Sequence, residues 1–187
     1  MNAWSQKRRI MRRYNQSAHV YDTQYSGEQE AKFKTVMQNL RLPQKSRVLD
    51  VGCGTGLILN HLAGRVEFIV GIDISRGLLQ EARRRARPHR YVSLVLADAD
   101  NMPFADQVFG AVLAITLLQN MPNPRTTLDE IKRVSEQAAT IVVTGLKKRF
   151  TEEDFAEMLN YADLTTSTLK PDEKNREYVC VCRRVRR

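Results

Sequence analysis

Hydrophobic residues along this chain follow two patterns: continuous apolar runs typical of buried strands, and spaced apolar positions typical of amphipathic helices. The continuous runs predict five strands, at 47–53, 67–75, 91–98, 109–118 and 139–146. The spaced positions predict helices at 56–64, 76–87 and 124–136, one from Ser26 to before Pro43, and one from Thr151. Strands and helices therefore alternate along most of the chain.

Polar residues mark the expected start of two of these helices. Ser26 and Gln29 form a capping-box pattern, in which each side chain satisfies a free backbone N–H of the first turn. Ser75 stands directly before the apolar stripe of the 76–87 segment and is expected to be its N-cap.

The chain ends in two further extended segments, 164–170 and 177–185, with only a few residues between them. So short a connection requires antiparallel pairing, whereas alternating strands and helices imply parallel strands with helices on both faces. The sequence therefore predicts an α/β fold: a doubly wound, Rossmann-like, mostly parallel seven-stranded sheet with an antiparallel strand near the C-terminus.

No internal repeat, low-complexity linker or shift in composition divides the 187 residues, so a single domain is expected over 1–187. Within it we expect an N-terminal helical lid segment at 1–45 and a ligand-binding core at 46–146. A C-terminal helix and strand pair is expected at 147–187.

The stretch VLDVGCGTG, residues 48–56, places three glycines within five residues directly after the first apolar run. Glycine permits tight turns and lets a ligand approach the backbone closely. In an open α/β sheet, ligands bind beyond the carboxyl ends of the strands, next to the first strand. A dinucleotide fingerprint is not matched, because Leu57 stands where G-x-G-x-x-G requires its third glycine. We therefore expect an adenosine-containing ligand that need not carry a pyrophosphate.

Carboxylates stand at the ends of the second and third predicted strands. Asp73 ends the second strand and is placed to accept hydrogen bonds from both ribose hydroxyls. Asp98 ends the third and can accept from an exocyclic amino group of a base, while the Ala99 N–H can donate to a ring nitrogen. Each residue alone also fits a plainer structural role, as does Asp50, as a loop brace, helix-terminal charge or turn residue. Their joint order favours one adenosyl site.

The composition, with 42% apolar and 27% charged residues, is that of an ordinary globular protein. The apolar runs fall short of the roughly 18 residues that span a bilayer, and no apolar stretch follows the basic N-terminus. Neither a membrane segment nor a secretory signal is therefore expected. Cys53, Cys180 and Cys182 do not form a disulfide framework, and the scattered histidines lack zinc-ligand spacing. A cytoplasmic, metal-free protein is expected.

The formal charge of +9 is unevenly distributed. The windows 1–14, 76–90 and 173–187 together carry +14, which leaves the rest of the chain at −5. Such segregation favours a polyanionic partner, because lysine and arginine on one face neutralise phosphates and release counterions. A solvated helix face with two basic tails is the alternative interpretation.

Over residues 14–146 the chain resembles the class I S-adenosylmethionine-dependent methyltransferases, nearest to the type 11 group that includes the ubiquinone/menaquinone C-methyltransferases. The resemblance depends on VLDVGCGTG, on VGIDIS followed by LLQEARRRA, on LADADNMPFADQVFGAV and on LLQNMPNPRTTLDEIKRV. The segment YNQSAHVYD, 14–22, is similar to the one that precedes the core in that group. S-adenosylmethionine is the cofactor that the resemblance implies.

The resemblance assigns roles to individual residues. Gly52 and Gly54 would line the methionine part of the cofactor, and Asp50 would support its amino group. Asp73 would hold the ribose, with Ile74 beside it. The remaining cofactor-binding residues would be Asp98 and Ala99 at the adenine, Thr116 at the end of the fourth strand, and Tyr21, which is equally readable as a core aromatic.

No catalytic residue is predicted, because a sulfonium is already activated and transfer can depend mainly on positioning. QNMPNP departs from the Asn/Asp-Pro-Pro-aromatic motif of many amino-group methyltransferases, which argues weakly against an exocyclic amine as acceptor. Gly110 stands where the family commonly has aspartate, which puts the local packing in question.

Since only about 40 residues follow the fifth strand, we expect specificity to come from outside the core. The basic windows favour RNA, such as tRNA or rRNA, or a ribonucleoprotein as acceptor. A small zinc-binding activator subunit is a candidate partner. Two alternatives remain open: a methyltransferase of a small apolar metabolite such as a quinone precursor, and an inert adenosyl-ligand or nucleic-acid-binding subunit.

Overall fold

A computed structural model of the protein describes residues 2–40, 42, 45–62, 64–170 and 176–184. It contains a sheet of seven strands in the order β3-β2-β1-β4-β5-β7-β6. The strands are β1 Arg47–Val51, β2 Phe68–Asp73, β3 Val92–Leu96, β4 Phe109–Ala114, β5 Ser135–Leu146, β6 Leu164–Lys170 and β7 Glu177–Arg184. β1 to β5 are parallel, and β7 pairs antiparallel with both β5 and β6. The predicted fold class is confirmed.

Six α-helices accompany the sheet in the described part of the chain. They are α1 Ala3–Ser17, α2 Tyr21–Asn39, α3 Leu59–Leu62, α4 Arg76–Ala86, α5 Pro124–Val134 and α6 Glu152–Tyr161. Short 3₁₀ turns at Ala18–Val20 and Leu118–Asn120 join α1 to α2 and lead from β4 towards α5.

The strand order reverses between β1 and β4. From β1 the chain moves outward through β2 to β3, and then returns to the other side of β1 to form β4 and β5. Connections that leave in opposite directions open a crevice at the carboxyl ends of β1 and β4, the usual ligand position in such sheets. The glycine loop after β1 lies at this edge.

Hydrophobic residues cover both faces of the sheet. Leu49 and Ile72 point into a core with α5 and α6, whereas the neighbouring Val48 and Ile69 point into a core with α2 and α3. Because successive strand residues face opposite sides, this double burial explains why the strands are continuous apolar runs.

Two predicted helix starts have different outcomes. Ser75 is the N-cap of α4, where its Oγ accepts the Leu78 N–H at 3.2 Å. Ser26 is not an N-cap, because α2 already begins at Tyr21 and Ser26 lies inside it. The Gln29 side chain, which the capping box would direct back towards Ser26, instead donates to the Thr116 hydroxyl at 3.2 Å. A tertiary contact therefore overrides the local pattern.

Other boundaries also differ from the prediction. The helix predicted at 56–64 is only four residues long, because the glycine loop extends through Gly56, whose φ is 75°. β4 ends at Ala114 rather than 118, since Thr116 adopts a φ of 60° that no strand accommodates. A register irregularity lies between Phe109 and Ala111, at the Gly110 position. The predicted connection between the last two strands, 171–175, lies outside the described residues.

All three cysteines are buried and free. In the parts of the chain that the structure describes, no helix is both long and apolar enough to cross a bilayer. The same residues contain no cluster of three or more side chains that could hold a metal ion.

Candidate functional site

The loop after β1 is built from glycines in a left-handed backbone conformation. Gly52 and Gly54 have φ values of 74° and 56°, which residues with a Cβ adopt only at a cost. The N–H groups of Gly52 and Cys53 both donate to the Ile72 carbonyl, at 2.8 and 2.9 Å. The loop is therefore held directly against the end of β2.

Asp73 joins this loop to the start of α4. One carboxylate oxygen accepts the Gly54 N–H at 2.9 Å, and the other accepts the Ser75 N–H at 2.7 Å. Burial raises the pKa of Asp73 above its ordinary value, although the backbone N–H groups oppose that rise. The carboxylate retains lone pairs for further donors, because each oxygen accepts more than one hydrogen bond.

Asp50 is a buried carboxylate without a donor. It is 4% exposed, and within the described part of the chain no group donates a hydrogen bond to it. Burial, followed by the nearby charge of Asp73, raises its pKa to about 7. Such a group needs a proton or a cation for stability, so it is suited to bind an ammonium group.

Asp98 is already occupied by a lysine. Lys7 of α1 places its Nζ 2.7 Å from both Asp98 oxygens and 2.5 Å from Asp100 Oδ2. Burial lowers the pKa of Lys7, but its hydrogen bonds to the two carboxylates outweigh that effect and raise it. Since Oδ1 also accepts the Asp100 N–H at 3.0 Å, the remaining acceptor capacity of Asp98 lies mainly on Oδ2. An adenine amino group would share this carboxylate with Lys7.

These groups surround two adjoining cavities. The larger is partly open to solvent, and the smaller lies behind the glycine loop. The predicted site residues all line one cavity or both: Tyr21, Asp50, Gly52, Gly54, Asp73, Ile74, Asp98, Ala99 and Thr116. The structure thus brings the nine together, while their role in holding a cofactor stays a prediction.

The two N-terminal helices form the outer wall of the larger cavity. Lys7, Ile10 and Tyr14 line it from α1, and the Tyr14 and Tyr21 rings meet edge-on at 6.0 Å. Asn15 attaches α1 to the start of α4, because its Oδ1 accepts the Ser75 hydroxyl and the Gly77 N–H at 2.8 and 2.9 Å. Burial raises the pKa of the Tyr21 hydroxyl, which therefore stays protonated near neutrality.

Sequence reasoning missed these α1 contributions. The one local signal was the spacing of Lys7, Ile10 and Tyr14, which places them on one face of a helix. The opposite face carries Arg8, Arg9, Arg12 and Arg13, all exposed.

A second missed feature is a buried polar cluster between α2, the end of β4 and the start of β7. Lys32 Nζ lies 2.8 Å from Glu177 Oε1 and 2.6 Å from the Thr116 hydroxyl. These residues are 61 to 145 positions apart in the sequence, so no local pattern indicates the cluster.

The chain matches the family described as "Methyltransferase domain", the type 11 methyltransferases, over residues 49–143. A demethylmenaquinone methyltransferase of Staphylococcus saprophyticus is 33% identical over 112 residues, which are 58% of this chain and 48% of that protein. The methyltransferase GfsG of Streptomyces halstedii is 34% identical over 128 residues, covering 66% and 46%. The chain spans about half the length of these curated relatives.

Solved structures show the same fold. A protein solved with the Haloferax volcanii Trm112 methyltransferase activator matches with a TM-score of 0.79 at 16% identity, covering 92% of this chain and 98% of that one. A SAM-dependent methyltransferase of Aquifex aeolicus matches with a TM-score of 0.73 at 18% identity, covering 82% and 89%. With the sequence match across half of its residues, the chain belongs to the type 11 group of class I S-adenosylmethionine-dependent methyltransferases.

Proposed function

We propose that this protein transfers the methyl group of S-adenosylmethionine to RNA or to a ribonucleoprotein. The observation that carries the proposal is the arrangement of α1. One face of the helix lines the candidate cofactor cavity, and the other presents a row of four exposed arginines. A polyanion bound to that row would lie across α1 from the cavity, about one helix diameter away, and from there could reach round the helix to the site.

The chemistry of the cavity fits the cofactor from one end to the other. Because β3, β2 and β1 are neighbours in that order, Asp98, Asp73 and Asp50 follow one another along the sheet edge. We assign Asp98 to the adenine amino group, Asp73 to the ribose hydroxyls and Asp50 to the ammonium group of the methionine part.

The buried Asp50 also suits a cofactor whose methionine part carries an ammonium group. When bound, S-adenosylmethionine supplies an activated methyl group. The residues of this chain bind and orient it, and the ionised Asp50 offsets the charge of its ammonium group in a poorly solvated place. Positioning of this kind can account for a large part of the rate of a transfer reaction.

The arginines available to an acceptor are fewer than the sequence count implies. In the 76–90 window, Arg85 is half-buried and turned to the protein, where it pairs with Asp22 at 2.6 Å and donates to the Thr55 carbonyl. The other five arginines of the window are exposed: Arg76, Arg83, Arg84, Arg87 and Arg90. Because α4 contacts α1, these arginines on and near α4 would extend the phosphate-binding surface of the α1 row.

A small apolar acceptor is the second candidate. Ile10, Tyr14 and Met121 give the larger cavity an apolar wall, and several curated relatives are named as demethylmenaquinone methyltransferases. Because a structural relative was solved with the Trm112 activator, we also propose that a small zinc-binding subunit assists this chain.

The test is transfer of a radioactive methyl group from S-adenosylmethionine to fractionated cell extract, with and without such a subunit. We expect the radioactive label to appear in the RNA or ribonucleoprotein fraction and to be released from it by ribonuclease. Label that partitions into organic solvent instead overturns the RNA acceptor in favour of the small metabolite.

A charge-matched pair of variants tests the role of α1. R8Q/R12Q removes two charges from the α1 row, and R47Q/R65Q removes two exposed charges near the amino ends of β1 and β2. We expect R8Q/R12Q to weaken RNA binding about tenfold and to flatten its salt dependence, because each lost phosphate contact lowers the salt slope by about one. Equal losses in both variants would show that α1 has no special part in acceptor binding.

A further inference from the structure

A buried ion pair links α2 to β7, the strand that is antiparallel to both of its neighbours in the sheet. Lys32 of α2 and Glu177 at the start of β7 have side chains that are 2% and 1% exposed, with Nζ and Oε1 2.8 Å apart. Desolvating two charges costs about as much as their attraction returns, so an apolar pair would serve stability equally well. The pair therefore calls for an explanation other than stability.

Thr116 supplies that explanation. It follows β4 at the crevice and lines the larger cavity, and its φ of 60° is a genuine outlier for a β-branched residue. Such conformations persist only where the surroundings fix them, and they concentrate at functional sites.

Each polar group of Thr116 is held by a different element. The hydroxyl accepts from Lys32 Nζ at 2.6 Å and from Gln29 Nε2 at 3.2 Å, both on α2, and lies 3.5 Å from Glu177 Oε2 of β7 as a donor. Its N–H donates to Thr144 Oγ1 of β5 at 2.8 Å, and its carbonyl accepts from Asn120 Nδ2 at 3.1 Å. Lys32 makes the shortest of these contacts, and Glu177 fixes Lys32 in turn.

We propose that Lys32 is a positioning residue for the cofactor site. It holds Thr116 in its left-handed conformation. The inference depends on the proposed binding of S-adenosylmethionine. Since β4 lies beside β1 and away from β3, Thr116 shapes the wall at the methionine end of the cavity and not at the adenine end. Lys32 thereby ties the shape of that wall to the docking of α2.

Comparing the binding of two ligands distinguishes this local role of Lys32 from a general loss of structure. S-adenosylmethionine fills the whole site, whereas 5′-methylthioadenosine lacks the amino-acid end. We expect K32M to weaken S-adenosylmethionine about tenfold by calorimetry, and to change 5′-methylthioadenosine less than twofold. K34M, which alters an exposed lysine of the same helix, is the control. Equal losses for both ligands would overturn the proposal.

K32M could unfold, because removing Lys32 leaves the buried carboxylate of Glu177 without its cation. K32M/E177M removes both charges and is expected to fold and to show the same ligand-selective loss. If K32M/E177M binds S-adenosylmethionine as the unaltered protein does, the pair has no positioning role.

The variant T116G tests whether Lys32 affects cofactor binding through the backbone conformation of residue 116. Glycine adopts positive φ without help, so in T116G the backbone no longer needs Lys32. We expect K32M to cost less than twofold in the T116G background, a clear departure from additivity. An undiminished tenfold loss there overturns the action through Thr116. Failure of the unaltered protein to bind S-adenosylmethionine would instead overturn the proposed function, and this inference with it.

Discussion

The two sides of the candidate site are built from contacts of different range. On the sheet side, formed by Asp50, the glycine loop 52–56 and Asp73, the Gly54–Asp73 bond joins residues 19 positions apart. On the helix side, formed by α1 and α2, the Lys7–Asp98 and Lys32–Glu177 bonds join residues 91 and 145 positions apart. The sheet side is therefore formed by one strand-helix-strand unit, while the helix side requires the whole fold.

The two sides also differ in the kind of interaction that holds them. The sheet side depends on backbone N–H groups that donate to a buried carbonyl and a buried carboxylate. The α1 part of the helix side depends on a lysine between two carboxylates that are 25% and 14% exposed. Salt screens such partly buried ion pairs to some extent, whereas it weakens the buried backbone hydrogen bonds of the sheet side still less. We therefore expect the sheet side to persist under conditions in which α1 detaches.

Loss of Asp73 gives the largest expected effect. D73A leaves the Gly54 and Ser75 N–H groups without acceptors and removes the proposed ribose partner. Each unsatisfied buried N–H costs about 1–3 kcal/mol, so Tm should fall by several degrees. S-adenosylmethionine binding should weaken at least about 100-fold by calorimetry, since about 2.7 kcal/mol corresponds to that factor.

D129A, at an exposed position on α5, is the matched control for D73A and should leave both Tm and affinity unchanged. Binding by D73A within threefold of the unaltered protein would remove the ribose contact from the sheet side. The difference between the sheet side and the helix side would then be one of stability alone.

Asp50 makes a pH-dependent prediction on the same side. Its pKa of about 7 means that the ionised form, which an ammonium group requires, disappears as the pH falls below 7. Affinity for S-adenosylmethionine should therefore fall roughly 5–10-fold from pH 7.5 to 6, and binding at pH 6 should release a proton. In D50N the affinity at pH 7.5 should be about tenfold lower and nearly independent of pH across this interval.

The stability of the unliganded protein should change in the opposite sense. Folding raises the pKa of Asp50, so its protonated form is favoured in the native state and stability is lost as the pH rises through about 7. D50N removes that loss, so its Tm relative to the unaltered protein should be higher at pH 8 than at pH 6. A pH-independent difference in Tm would contradict the assignment of a raised pKa to Asp50.

The contrast in contact range explains how much the sequence could predict. The mostly parallel sheet, the glycine loop and the placement of Asp50, Asp73 and Asp98 follow from local patterns, because parallel strands end at one edge. The occupation of Asp98 by Lys7 does not, since a lysine in a basic segment looks like surface charge. The contact of Gln29 with Thr116 does not follow from local patterns either. The sequence around Gln29 indicates a capping box, but its side chain donates to Thr116 across the fold.

The smallest expected effect tests whether α1 detaches independently. K7M removes the cation between Asp98 and Asp100 but leaves Asn15 on α4. Loss of about 1 kcal/mol should speed amide hydrogen exchange in α1 roughly fivefold. Exchange in β1 and β2 should not change, because opening of α1 exposes none of their backbone bonds.

R8M, on the exposed face of α1, is the matched control and should leave α1 exchange unaltered. In 0.5 M salt the difference between K7M and the unaltered protein should shrink, because screening already weakens the ion pair that the substitution removes. Equal acceleration in α1, β1 and β2 would mean that both sides of the site open together. In that case the difference in contact range has no counterpart in the dynamics, and α1 is part of the rigid core and not a separable wall.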